Sequence, residues 1–85
     1  MEKSITTTEY RSFLQLLRET RKSAGITQVE LAEKIDESQS FVSKVERGEI
    51  RLDILQLRSI ARALGTNLPD FVNSFERLLN SKRRR

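Results

Sequence analysis

Apolar positions return along this chain with the period of a helix, about 3.6 residues, in five successive stretches. In the first, Tyr10, Phe13, Leu14, Leu17 and Ala24 fall on an inner side and Gly25 is a natural stop, while Thr6 and Glu9 have the spacing of a capping box. The second stretch opens with Thr27-Gln28-Val29-Glu30, where the Thr27 hydroxyl accepts from a first-turn N–H and the Glu30 carboxylate reaches back to the cap. Ile26 and Leu31 flank that box at the spacing of a hydrophobic staple, so a second helix is expected from Gln28. Its narrow apolar face is Leu31, Ala32 and Ile35, and the small Ala32 lets another helix cross close to its backbone.

Only Asp36-Glu37-Ser38 separates this helix from the next, and Ser38 is a good N-cap for a helix beginning at Gln39. Advancing about 100° per residue puts Gln39, Ser40, Ser43, Lys44 and Arg47 on one arc, with Phe41, Val42 and Val45 opposite. One face is thus destined for a core and the other is free, and the free face carries side chains that bond base edges and phosphates. Two short helices joined by a tight turn, the second with a polar and basic outer stripe, are suited to placing a helix in the major groove of DNA.

The fourth stretch repeats the cap and staple with Asp53, Gln56, Leu52 and Leu57; Leu57, Ile60, Ala61 and Leu64 face inward, and Gly65 ends it. Asn67 caps the fifth, where Pro69 is tolerated because it lies in the first turn. Phe71, Val72, Phe75, Leu78 and Leu79 then form an apolar band wider than one small core needs, so part of it is expected to meet a second copy.

From about Phe13 to Phe75 the chain resembles the XRE-type family of phage Cro and repressor proteins, in LRETRKSAGITQVELAEKI, SQSFVSKVERGE and LRSIARALGTNLPDF, in order and spacing. Gln28, Ala32, Val42, Val45 and Glu46-Arg47-Gly48 occupy the positions of the family pattern, while Asp36 stands where Gly is usual and Glu37 where an aliphatic residue is common. The resemblance implies an all-α fold, a five-helix lambda-repressor-like domain with a helix-turn-helix, and a partly buried ion pair between Arg21 and Glu46.

It also gives the outer residues roles. Gln39 is the expected base reader, since one amide can bond adenine N6 and N7 together, and Lys44 reads guanine or holds a phosphate. Ser40 and Ser43 are short enough to reach base edges or phosphate, and Phe41 either packs at the core edge, which is favoured, or presses on a thymine methyl. Gln28, at a helix N-terminus, suits a phosphate clamp, with Ser38, Arg18, Arg47 and Arg51 as further backbone contacts, which set register and carry no sequence information.

Composition narrows the alternatives. Eighty-five residues allow one domain, here 6–80 with its helix-turn-helix at 28–47, between a disordered end at 1–5 and a basic tail at 81–85. With no Cys and no His there is no thiol nucleophile, imidazole base or usual zinc site, so no enzyme activity, metal or cofactor is expected. No apolar run approaches the roughly 20 residues that span a bilayer, and MEKSITTTEY lacks a signal-peptide core, which favours the cytoplasm of a bacterium or phage host. The net charge of +4 resides in Lys82-Arg83-Arg84-Arg85, because without them 12 basic residues face 12 acidic ones; segregation of charge, not its sum, must carry DNA binding.

The expected function is a sequence-specific transcriptional regulator, by default a repressor, binding double-stranded DNA as a homodimer on an inverted repeat. No small-molecule effector is expected in so short a chain. The alternative is an antitoxin-like interaction module whose C-terminal helix binds a partner protein.

Overall fold

The computed structural model describes residues 7–83, so the expected disordered end at 1–5 and the last two residues of the basic tail lie outside the described residues. Five helices follow one another: α1 (Thr8–Ser23), α2 (Gln28–Lys34), α3 (Gln39–Glu46), α4 (Ile54–Ala63) and α5 (Leu68–Arg83), with no strand among the described residues. The fold is all-α, as the periodicity requires.

Each of the first four helices begins where a side chain satisfies an orphan backbone N–H. At α2 the capping box is complete: the Glu30 amide donates to Thr27 Oγ1 at 3.1 Å and the Thr27 amide donates to Glu30 Oε1 at 2.9 Å. Asp53 and Gln56 form the same reciprocal pair at α4, with distances of 2.7 and 2.9 Å. The α3 cap is Ser38, which accepts from the Phe41 amide, and at α5 Asn67 accepts from the Asp70 amide.

The start of α1 differs from expectation. Its cap is Thr7, accepting from the Tyr10 amide at 3.1 Å; Thr6 lies outside the described residues. Three successive threonines make the cap degenerate in the sequence, and the register taken brings the Tyr10 ring to 5.3 Å from that of Phe13. At the other end Ala24 is exposed, being the C-cap and not part of the inner face, and the chain reverses through Gly25 at φ 74°. Helix α5 runs through Arg83.

Asp36 adopts φ 62° in the turn between α2 and α3, taking the left-handed conformation usually left to glycine. That single conformation sends the chain into α3 across α2. Ala32, 3 % exposed, lies at the core side of the crossing, and Leu17, Leu31, Val45 and Ile60 are the most deeply buried large side chains. One hydrophobic cluster, to which α5 adds Phe71, therefore joins the five helices under the outer face of α3.

Much of the apolar band of α5 packs inside the molecule. Phe71 is 3 % exposed and meets Phe13 edge-on at 6.0 Å, and Phe75 meets the same ring at 5.9 Å. Leu78 and Leu79 are half-buried, and of the five only Val72 is exposed, at 38 %. Phe13 of α1 thus lies between two aromatic rings of α5. No helix among the described residues is long and apolar enough to cross a membrane.

Candidate nucleic-acid interface

Val42 and Val45, each 2 % exposed, fix the rotation of α3 about its axis. That rotation leaves Gln39, Ser40 and Lys44 exposed and Ser43 half-exposed on the outer side, with Ser38 exposed at the cap. Phe41 is half-buried and packs against the core, the favoured one of its two readings.

Beneath this face lies a polar chain that runs from the interior to the surface. Arg21 and Glu46, 8 % and 4 % exposed, form a fork: Arg21 Nε donates to Glu46 Oε2 at 2.7 Å and Nη2 donates to Oε1 at 3.1 Å. Arg21 Nη1 donates to the Ile26 carbonyl at 2.9 Å, so the same guanidinium pins the loop before α2. Gln28 Nε2 donates to Glu46 Oε1 at 2.9 Å, and Gln39 Nε2 donates to Gln28 Oε1 at 3.1 Å. Arg18 leans on the same end of α3, its Nη2 donating to the Glu46 carbonyl at 3.4 Å.

Electrostatics keep Glu46 ionised. Burial alone would push its carboxyl up, but the hydrogen bonds from Arg21 and Gln28, with the charges of Arg21 and Arg18, together outweigh that and hold it below its ordinary value. A buried carboxylate without these donors would be costly; with them it becomes the anchor of the chain that ends at Gln39.

The chain leaves Gln39 suited to an adenine edge. A primary amide has two N–H donors and one carbonyl, so the bond to Gln28 leaves one donor and the acceptor, the pair that adenine N7 and N6 require. Gln28 likewise keeps one N–H after bonding Glu46, available to a phosphate. Neither periodicity nor the two capping signals disclosed this pairing. The one sequence signal is that Gln28 and Gln39 are the first residues of the two helices.

The other expected contacts separate into groups. Arg47 is bound to Glu49, with Nε to Oε2 at 2.8 Å and Nη2 to Oε1 at 3.2 Å, and its Nη1 also donates to Ser43 Oγ. Its hydrogen bond holds the Glu49 carboxyl below the usual range. Ser43 and Arg47 are thus engaged with each other and with an acid in the free protein. Arg51 lies elsewhere, its guanidinium carbon 4.7 Å from the Tyr10 ring centroid, in a cation–π geometry beside the start of α1. What converges on the outer face of α2 and α3 is Gln28, Ser38, Gln39, Ser40 and Lys44.

The helix-turn-helix family profile matches residues 17–71, which span α1 from Leu17 through the first turn of α5. The chain belongs to the XRE-type helix-turn-helix family. Members of this family are DNA-binding transcriptional regulators. An uncharacterized HTH-type transcriptional regulator of Methanothermobacter thermautotrophicus is 40% identical over 50 residues, 59% of this chain and 72% of the relative. Among solved structures, an XRE-family like protein from Pseudomonas syringae pv. tomato is 41% identical with a TM-score of 0.77, covering 82% of this chain and 85% of that one. The clp gene regulator ClgR from Corynebacterium glutamicum, 26% identical, also superposes with a TM-score of 0.77 over 92% of this chain and 83% of its own.

Proposed function

We propose that this XRE-family regulator is a repressor that binds an inverted-repeat operator as a homodimer, with α3 of each copy in a major groove. Gln39 is the principal base reader, directed at adenine; Lys44 reads guanine, and Ser40 allows close approach. Gln28 and Ser38 hold phosphates on one side, and Arg18, at the Glu46 end of α3, adds charge. The observation that carries the reading is the Gln28–Gln39 hydrogen bond, because it immobilises the reading amide on a support rooted in the buried Arg21–Glu46 pair. Preorganisation of this kind reduces the ordering entropy that binding must overcome.

The alternative, an interaction module acting through the C-terminal helix, has less support: Phe71 is interior and Phe75 packs on Phe13. A partner would find chiefly Val72 there.

Selection of bound sequences from random duplex DNA at near-physiological salt tests the reading. The wild type should enrich an inverted repeat with half-site centres about 10 bp apart, and Gln39→Ala with Lys44→Ala should lose base preference while remaining folded. Enrichment of no motif by the wild type sinks the proposal.

A further inference from the structure

The most exposed large apolar residues among those described are neither on α3 nor on α5. They are Ile54 and Leu55, 65 % and 71 % exposed, at the start of α4. Beside them is a cleft of about 210 Å³ lined by Ile35, Phe41, Gln56 and Ser59, and also by Glu37 and Asp53. With about 100° per residue, Ile54, Arg58, Arg62, Leu55 and Ser59 occupy one arc of α4, opposite the inward Leu57, Ile60, Ala61 and Leu64; all five are exposed. Two neighbouring large aliphatics this open on a regular helix are an unpartnered surface.

The charges around this surface indicate what covers it. At its N-terminal end lie the acids Asp53 and Glu37, and one turn further along α4 lies the base Arg58. Glu37 and Arg58 have no ion-pair partner among the described residues. An apolar centre with acid at one end and base at the other is complementary to itself under two-fold rotation. An axis passing between Leu55 and Gln56 sets position 53 against position 58 and position 54 against position 57 of an antiparallel copy. At 1.5 Å per residue, Asp53 and Arg58 are separated by about 7.5 Å along the helix, so a single axis matches the acidic end of each copy to the basic end of the other, with Leu55 of each copy near it. Phe41 of α3 lines the same cleft, which puts the axis next to the recognition helix.

We infer that the occupant of this surface is a second copy of the chain, docked α4 against α4 through Ile54 and Leu55 with Glu37 and Asp53 facing Arg58 of the partner. The inference deepens the homodimer reading above and rests on it, but moves the interface from α5 to the start of α4. The two-fold arrangement then places the two recognition helices on either side of one axis, as a palindromic operator demands.

Sedimentation equilibrium of the full chain tests it with matched variants. The wild type should dimerise, and Leu55→Glu should raise the dissociation constant about a hundredfold or more, since each copy loses a buried leucine. Val72→Glu should leave dimerisation unchanged. Arg58→Glu and Glu37→Lys should each weaken self-association about tenfold through like-charge juxtaposition, and an equimolar mixture of the two should associate more tightly than either variant alone, because only the mixed dimer pairs position 37 with an opposite charge at position 58 in both directions. Circular dichroism confirms that each variant keeps its helices.

A wild type that remains monomeric at every concentration reached overturns the inference, as does Leu55→Glu dimerising normally or a mixture that associates no more tightly than either variant alone. Binding of a single half-site duplex by Leu55→Glu reports on DNA recognition separately. Loss of DNA binding by the wild type with the dimer results intact would overturn the functional reading and leave this interface standing.

Discussion

Glu46 accepts three hydrogen bonds on its two carboxylate oxygens, two from Arg21 and one from Gln28, and its position at the end of α3 makes it the joint between core and surface. Glu46→Ala leaves the Arg21 guanidinium buried without its counter-charge and should cost about 3–5 kcal/mol, read as the change in urea unfolding free energy. The pH dependence has a definite sign. A carboxylate held below its unfolded value contributes stability that is present above that value and lost as pH falls through the folded one. Wild-type stability should therefore decline between about pH 5 and pH 2 more steeply than that of Glu46→Gln. Further out along the chain, Gln28→Ala should reduce Gln39's preference for adenine, and a double-mutant cycle of the two glutamines on operator binding should give a coupling of about 0.5–3 kcal/mol. The identities of Gln39 and Lys44 as outward-facing residues were legible in the sequence, since one helical projection sorts them from Val42 and Val45. Their support was not, because a hydrogen bond from α2 to α3 depends on how the turn at Asp36 is closed.

At the scale of elements the sequence was most explicit where chemistry is local. Thr27 with Glu30, Asp53 with Gln56, Ser38 and Asn67 all cap the helices their spacing announces. Asp53→Ala should lower stability by about 1 kcal/mol, measured by thermal or urea denaturation. The α2–α3 turn adds a sharper test. Asp36 at φ 62° tolerates a conformation that a β-branched residue does not, so Asp36→Val should destabilise by about 1–2 kcal/mol while Asp36→Gly should not destabilise at all. The start of α1 and the face of α5 escape a sequence reading for different reasons. Thr6, Thr7 and Thr8 are chemically equivalent as caps, so only the packing of Tyr10 selects among them. The α5 band looks excessive because counting apolar residues along one helix ignores the aromatic pair on α1 that it covers.

For the whole molecule, charge counting alone is a poor guide to DNA affinity. Lys44 is exposed on the outer face, whereas Arg47 is tied to Glu49 and Arg51 sits over Tyr10. The salt dependence of binding should consequently be shallow for a basic regulator, and Glu49→Gln, by releasing Arg47, should steepen the logarithmic salt slope by about 0.9 for each additional phosphate neutralised. Titration of operator binding at several salt concentrations checks this. The number of helices, the caps of α2 to α5 and the outward stripe of α3 were readable from the chain, because each depends on residues three or four apart, whose relative placement a helix dictates. Three features were not: the support of Gln39 by Gln28, the neutralisation of Arg47, and the exchange of roles between α5 and α4 as the open apolar face. Each depends on which surfaces meet after the helices cross. An apolar stripe says that a face must be covered, but whether it is covered by the same chain or left for another molecule is decided by tertiary packing, which buried Phe71 and left Leu55 in water.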